Sequence, residues 1–317
     1  MNRPRLIMMI GLPGSGKSYR AKILAEEYDA NVHSSDSIRE ELSGDIDNQD
    51  INDLVFRTLH NRIKEDLQNG KNCIYDATNI SYKKRMAFLQ ELQSIPCEKI
   101  CILMATPYKE CLKNNSNRDR VVPEEVIERM YKNFNIPFFY EGWNQITVEY
   151  GKEEYHGYYG YPTSLMELTM SFDQNNKHHT LSLGEHLRNT AHNLPCYHNE
   201  GFDIYEYALI IAAILHDGGK IFTKDFRNGK GEPTEDAHYF NHHNVGAYDS
   251  LFYNDKAIGT NDSWVWLYIS VLIMWHMQPY FWEKDNNERQ HNKYRKLWGE
   301  KLHSDIMKLH EADKKAH

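Results

Sequence analysis

The sequence predicts two domains: an α/β domain with a parallel sheet, then an all-α domain. Three observations carry that expectation. The 317 residues exceed one ordinary domain of roughly 100–200 residues. A short apolar run, a glycine-rich loop and a helical pattern open the chain, and phosphate-binding α/β domains begin in that order. Fourteen of the 17 histidines lie at or after His178, in a stretch whose apolar spacing is almost wholly helical, so the halves carry different chemistry.

The elements follow in order. Residues 5–10 read as a first buried strand, and Lys17 to Tyr28 as a helix. A second strand is expected just before Ser35. Ile51, Leu54, Val55, Leu59, Ile63 and Leu67 fall near one helical face, and Asn69-Gly70 stops that helix. Asn72 to Tyr75 is a short strand ending at Asp76, and Lys99 to Ala105 is another. Pro123 to Phe134 is a helix with proline at its start. Glu149 to Pro162, rich in glycine and tyrosine, has no helical period and reads as the connection. The expected domains are 1–150 and 166–317, with a 151–165 linker. Beyond it, Phe202 to Leu215 and Trp264 to Met277 are long apolar helices.

Composition excludes several classes. With 40 % apolar and 26 % charged residues, each half can bury a core. No apolar run reaches the ~18 residues of a membrane span. The basic start and Leu6 to Ile10 resemble a leader but are too short and run into the glycine loop. A cytoplasmic protein without a membrane partner is expected. Five cysteines, with no Cys-x-x-Cys, argue against a disulfide framework and a thiolate zinc site. A net charge of −8 does not indicate a broad nucleic-acid platform, though it leaves room for a local basic groove.

Gly11 to Ser18 fits G-x-x-x-x-G-K-[ST] without a mismatch. Gly14, Ser15 and Gly16 turn backbone N–H groups around phosphates, Lys17 reaches the β/γ-phosphates, and the Ser18 hydroxyl ligates Mg²⁺. ATP or GTP with Mg²⁺ is therefore expected. Past the second strand, Asp36 is placed to take a proton from a hydroxyl nucleophile, and Arg39 to hold an acceptor phosphate. The alternative is that Asp36 caps a helix. Arg118-Asp119-Arg120 reads as an arginine lid over the phosphates, or else as a solvated charged loop.

His216-Asp217-Gly218-Gly219-Lys220 ends an apolar helix. Adjacent His and Asp at a helix terminus can address one metal ion, the glycines permit a sharp turn, and Lys220 can hold a phosphate oxygen. His186, His242 and His276 occupy helix-compatible stretches on either side. His178, His179, His192 and His243 read as substrate-side or structural. Trp264, Trp266 and Trp275 read as core. Asp305 competes with Asp313 as a late carboxylate.

On these motifs, residues 7–140 resemble the kinase domain of the phage-type polynucleotide 5′-hydroxyl kinases. The matches are Gly11–Ser18, Ser35-Asp36-x-x-Arg39, Asp76-Ala77-Thr78-Asn79, and Asn115-Ser116-Asn117-Arg118 with the Val122-Pro123 segment. The resemblance implies Asp36 as general base, Arg39 on the acceptor phosphate, Arg118 in the lid, and Asp76 and Asn79 on the acceptor side. Where that family often has another lid arginine, this chain has Asn114. Residues 176–317 resemble the HD phosphohydrolase superfamily, above all the HD domains of tRNA nucleotidyltransferases. That likeness implies one metal site from His186, His216, Asp217 and Asp313, and a second from His242 and His276 with Asp217 bridging. Such ligands suit Mn, Fe, Co, Ni or Zn without selecting among them.

Together the resemblances imply a bifunctional end-healing enzyme. One domain would phosphorylate 5′-hydroxyl ends of RNA or DNA. The other would remove a 2′,3′-cyclic, 2′- or 3′-phosphate, and a ligase would then seal the ends. The domain order is the reverse of that in fused kinase–HD repair enzymes. Three alternatives stay open: a nucleoside or nucleotide kinase fused to a nucleotidase, a nucleotide-sensing or nucleic-acid-binding module regulating a phosphohydrolase, and a kinase acting on hydroxyls of modified DNA bases.

Overall fold

The computed structural model describes residues 3–118, 120–176, 180–201, 203–253 and 263–316. Asp119, His178, His179 and Phe202, named above, lie outside them. The chain forms two compact units. One contains Met1–Met130 and Pro137–Glu153, and the other Tyr131–Ile136 and Glu154–His317. The segment Tyr131–Ile136 is thus grouped with the second unit rather than with its chain neighbours.

The first unit runs β1 (Arg5–Ile10), α1 (Lys17–Tyr28), β2 (Ala30–Ser34), α2 (Ser35–Ser43), α3 (Asn52–Gln68) and β3 (Asn72–Asp76). It continues with α4 (Tyr82–Glu91), β4 (Glu98–Ala105), α5 (Tyr108–Ser116), α6 (Glu124–Lys132) and β5 (Gln145–Tyr150). The five strands form one parallel sheet in the order β2-β3-β1-β4-β5. Parallel sheets are covered on both faces, so their central strands are apolar throughout. β1 meets this demand: Leu6 to Ile10 are all buried. Ile7 pairs with Ile74 on one side and Ile100 on the other. Ile7, Met9, Ile74, Ile100, Ile102 and Met104 then pack on Ala21 and Leu24 of α1. Ligands of open α/β sheets sit beyond the carboxyl ends of the strands. Here those ends deliver Gly11, Asp76 and Thr106, with Asp36 just past β2.

One buried ion pair reaches the segment after β3. Arg85 of α4 donates to both carboxylate oxygens of Glu141 at 2.7 and 2.6 Å, and to the carbonyl of Asn79 at 2.8 Å. Trp143 adds an indole N–H to Glu141 at 3.1 Å. Both charges are buried. Breaking a buried pair by removing one partner costs ~3–5 kcal/mol because the other charge is left without compensation. Glu141→Ala is therefore expected to lower the first unit's thermal midpoint by roughly 10 °C. Calorimetry of the full chain checks this, and an unchanged midpoint would contradict it.

The second unit contains α7 (Pro162–Thr169), α8 (Leu183–His192), α9 (Ile204–Leu215), α10 (Lys220–Thr223), β6 (Asp225–Arg227) and β7 (Pro233–His238). After these come α11 (His242–Ser250), α12 (Ser263–Trp275), α13 (Gln278–Asp285) and α14 (Glu288–Lys314). It is helical but not all-α: β6 and β7 pair as an antiparallel hairpin. α7 begins inside the stretch read as connection. Tyr207–Leu215 of α9 and Val265–Trp275 of α12 are buried continuously, so these two helices form the centre. Trp266 and Trp275 are among the core residues, as the sequence predicts, and Trp264 stacks on Tyr268 at 5.5 Å. Capping boxes start α8 (Ser182 with Glu185) and α9 (Asp203 with Glu206), which fixes where each helix begins. No helix among the described residues is long and apolar enough to cross a membrane.

Candidate active sites

The loop after β1 is shaped by close backbone approach. Gly14 and Gly16 hold φ of +79° and +92°. A Cβ at Gly14 would stand 2.2 Å from the carbonyl oxygen of Cys111, so only glycine fits. Three side chains strap the loop and its flanks. Asn114 donates to the Gly14 carbonyl at 2.9 Å, Thr106 to the Ser15 carbonyl at 3.1 Å, and Asn79 to the Met9 carbonyl at 2.9 Å. Asn79, expected on the acceptor side, thus spends its amide on β1. Asn114, set against a lid arginine by the resemblance, supports the loop.

The Lys17 ammonium is buried and donates to the Leu12 carbonyl at 2.7 Å. Burial lowers its pKa to about 8, against the opposing charge of nearby Asp76. Ser18 follows in the first turn of α1 and is exposed. Asp76 ends β3 and is buried.

On the acceptor side, Asp36 lies inside the first turn of α2, and Ser34 occupies the N-cap position. Asp36 is therefore not the cap. Its carboxylate accepts from Arg39 at 3.0 Å and faces Arg120 at 2.9 Å. Arg120 also donates to Asp47 at 2.7 Å. Arg39 is buried, with a second bond to Asn52 at 2.7 Å. Arg120, expected on the nucleotide, is held between two carboxylates, whereas Arg118 is exposed. The Asp47 and Asn52 partnerships were not foreseen, because nothing in a charged loop announces which arginine it will meet.

In the second unit, five side chains converge on Asp217. One carboxylate oxygen, Oδ2, lies 3.4 Å from His186 Nε2, 3.6 Å from His216 Nε2 and 2.6 Å from Lys220 Nζ. The other, Oδ1, lies 3.1 Å from His242 Nε2 and 3.5 Å from His276 Nε2. Asp313 Oδ1 joins the first group, 3.1 Å from His186 and 3.6 Å from His216. All are buried.

The local sequence explains the aim of each ring. His216, His242 and His276 present Nδ1 to the carbonyls of Ala213, Tyr239 and Ile273 at 2.9, 2.8 and 2.7 Å. A carbonyl accepts only from N–H, so a proton sits on Nδ1 and Nε2 is the nitrogen turned inward. This is the outer hydrogen bond that metal-ligating histidines make. Gly219 matters by proximity rather than by turn geometry. A Cβ there would come within 2.1 Å of the His242 carbonyl, so the glycine lets α11 approach.

The electrostatics fit a cation. Burial works against the Asp217 carboxylate, but Lys220 and His216 outweigh it and hold its pKa well below the usual range. Asp313 behaves likewise: burial is offset by His216 and His186. Burial drives His276 down to about 4, so its ring is neutral near pH 7. Burial opposes the charged form of His186 too, but hydrogen bonds to Asp217 and Asp313 lift it to about 9. An ion bound there would displace that proton. The two groups His186–His216–Asp217 and Asp217–His242–His276 each bring ligand atoms close enough for one ion. Histidine and carboxylate donors of this kind suit divalent transition metals.

The remaining sequence candidates lie elsewhere. Asp305 is buried against Lys301 at 2.6 Å, Lys308 at 3.3 Å and Tyr268 at 2.8 Å, an ion cluster of its own. The His192 ring packs on Tyr197 at 4.4 Å. His243 stands beside His242 and His276 but outside the ligand groups, and burial keeps it neutral. Gln174 was missed. It accepts from Lys220 at 2.9 Å, and its backbone carbonyl accepts from Tyr239.

The strand order, the glycine loop and its lysine define the first unit as a P-loop kinase-like α/β domain, and that fold implies a nucleotide and Mg²⁺. Residues 6–137 match the family model described as an AAA domain. The chain is 29 % identical over 151 residues to the L-seryl-tRNA(Sec) kinase of Methanococcus maripaludis, covering 45 % of this chain and 58 % of that protein. The match thus spans little more than half of the curated relative. Among solved structures, one of the Pnkp1/Rnl/Hen1 RNA repair complex aligns at 22 % identity and TM-score 0.35, over 41 % of this chain and 43 % of that one. A gluconokinase from Sinorhizobium meliloti aligns at 14 % identity and TM-score 0.34, over 47 % and 84 %. This similarity to a kinase supports an enzyme.

Proposed function

We propose that the chain heals nucleic-acid ends with two chemistries. The first unit transfers the γ-phosphate of ATP to a 5′-hydroxyl of RNA or DNA. The second, an HD-type domain, hydrolyses a 2′,3′-cyclic, 2′- or 3′-phosphate. The observation that carries the pairing is the Asp217 carboxylate shared between two imidazole groups, in a chain that also holds a phosphate loop.

In the kinase unit, Asp36 takes the proton of the attacking hydroxyl while Arg39 holds the adjoining phosphate of the acceptor. Lys17 and the exposed Arg118 offset charge on the transferred group. Arg120 must release Asp36 before that carboxylate can act as a base, so its pairing with Asp47 offers it an alternative seat. In the second unit, His186, His216, Asp217 and Asp313 would hold one divalent ion, and Asp217, His242 and His276 another. Such ions, when bound, polarise a phosphoryl oxygen and make water nucleophilic near neutral pH. Lys220 keeps Asp217 ionised and lends positive charge beside the phosphate.

A second reading of the kinase has its own support. The curated relative acts, by its name, on seryl-tRNA, so a hydroxyl on a charged tRNA is a competing acceptor. The test offers ATP and Mg²⁺ with three acceptors: a 5′-hydroxyl oligoribonucleotide, a free nucleoside and seryl-tRNA. The proposal expects the oligonucleotide to have the highest kcat/KM, by about tenfold or more. Preference for the nucleoside moves the chain to nucleotide metabolism, and preference for seryl-tRNA to the second reading.

A further inference from the structure

Asp313 sits in the last turn of α14, where helices fray. A carboxylate also rotates readily, because its terminal torsion is broad and roughly two-fold. Something must therefore select which oxygen faces His186 and His216. We propose that Tyr280 is a positioning residue for Asp313, holding one carboxylate oxygen so that the other is presented to the ion site. The proposal rests on the ion-binding reading of the second unit.

The Tyr280 hydroxyl donates to Asp313 Oδ2 at 2.9 Å. The opposite oxygen, Oδ1, then faces His186 Nε2 at 3.1 Å and His216 Nε2 at 3.6 Å. Asp217 differs, because its Oδ2 is engaged by Lys220 and also faces His186 and His216. Each carboxylate of the centre thus has a partner that is not an imidazole.

The helices around this contact are built to hold it. Tyr280 and Glu283 lie three apart on α13, and His310 and Asp313 three apart on α14, so each pair shares a helix face. The result is two rungs: Tyr280 to Asp313, and Glu283 to His310 at 2.9 Å. The His310 ring stands edge-on to Tyr280 at 4.4 Å, and Lys314 donates to both Glu283 oxygens at 3.2 and 3.1 Å. Glu283, His310 and Glu311 are close enough to resemble a further ion site. The Lys314 ammonium on Glu283 makes them part of the clasp instead.

The test is a calorimetric titration of the full, chelator-stripped chain with Co²⁺, comparing wild type, Tyr280→Phe and Glu283→Gln. Phenylalanine keeps the ring beside His310 and removes only the hydroxyl. Loss of an outer hydrogen bond to a ligand typically weakens metal binding 10–100-fold. Tyr280→Phe should weaken one of two Co²⁺ equivalents by that factor and leave the other unchanged. Glu283→Gln, which touches only the outer rung, should leave both within about threefold. Identical titrations of wild type and Tyr280→Phe would overturn the proposal. Equal losses in both variants would also overturn it, by assigning the effect to the clasp as a whole. Wild type that binds no Co²⁺ would sink the underlying reading and the proposal with it.

Discussion

Replacing Asp217 with asparagine is expected to abolish the proposed phosphoesterase activity, by at least about 10³-fold, and to leave the proposed 5′-kinase activity intact. The loss corresponds to ~4 kcal/mol of barrier. The size follows from position. Among the described residues, Asp217 is the one carboxylate whose two oxygens face different histidine pairs, His186 with His216 and His242 with His276. An amide replaces one carboxylate oxygen with N–H₂, which offers no lone pair to an ion, and it removes the charge that balances Lys220 at 2.6 Å. Bound divalent metal, measured by mass spectrometry of the purified protein, should fall together with activity. Full metal content with normal hydrolysis would refute the assignment. Loss of 5′ phosphorylation alongside hydrolysis would show the variant to be misfolded rather than selectively impaired.

The second large effect is expected at Asp36. A positioned general base contributes ~10²–10⁴ in rate. Asp36→Asn should lower kcat of phosphorylation by that range while ATP affinity, measured by calorimetry, changes less than about threefold. Affinity is spared because the phosphate loop, Lys17 and the straps from Thr106 and Asn114 do not involve Asp36. The substitution also frees part of Arg120, which keeps Asp47 as a partner. This variant separates a kinase from a nucleotide sensor. A sensor would keep ATP-dependent control of the second unit after Asp36→Asn, and a kinase would lose phosphorylation. Normal phosphorylation by the variant would remove Asp36 from the role of base.

The parts of these sites that were legible share one property: they are local. Gly11 to Ser18 states its own geometry, because the glycines, the lysine and the serine act within one turn of chain. Asp36 and Arg39 meet across three residues of α2. Parallel strands β1, β3 and β4 are legible because burial on both faces leaves their centres apolar. The histidine set depended on resemblance, since His186 and His216 are 30 residues apart and nothing in the spacing brings their Nε2 atoms to 3.2 Å.

What escaped was contact at a distance. Arg85 and Glu141 lie 56 residues apart, and neither stands in a motif. Asn79 and Asn114 act through backbone carbonyls, which no side-chain pattern reveals. The pairing of Arg120 with Asp36 and Asp47 likewise forms only when the loop folds over. The β6–β7 hairpin is a different failure, because its signals were present. Asn228-Gly229 and Gly231 mark a turn, and Pro233 stands at the first residue of a strand, where proline is tolerated. The long helices on either side drew the segment into a helical reading.

The most direct measurement uses one labelled oligoribonucleotide carrying a 5′-hydroxyl and a 2′,3′-cyclic phosphate. It is incubated with ATP, Mg²⁺ and Mn²⁺, and both ends are analysed. Lys17→Ala and Asp217→Ala proteins are run beside wild type. Two independent sites on one substrate predict a new 5′-phosphate that is lost only with Lys17→Ala, and 3′-end hydrolysis that is lost only with Asp217→Ala. An oligonucleotide left untouched at both ends, with ATP-dependent phosphorylation of free nucleosides instead, would contradict the account.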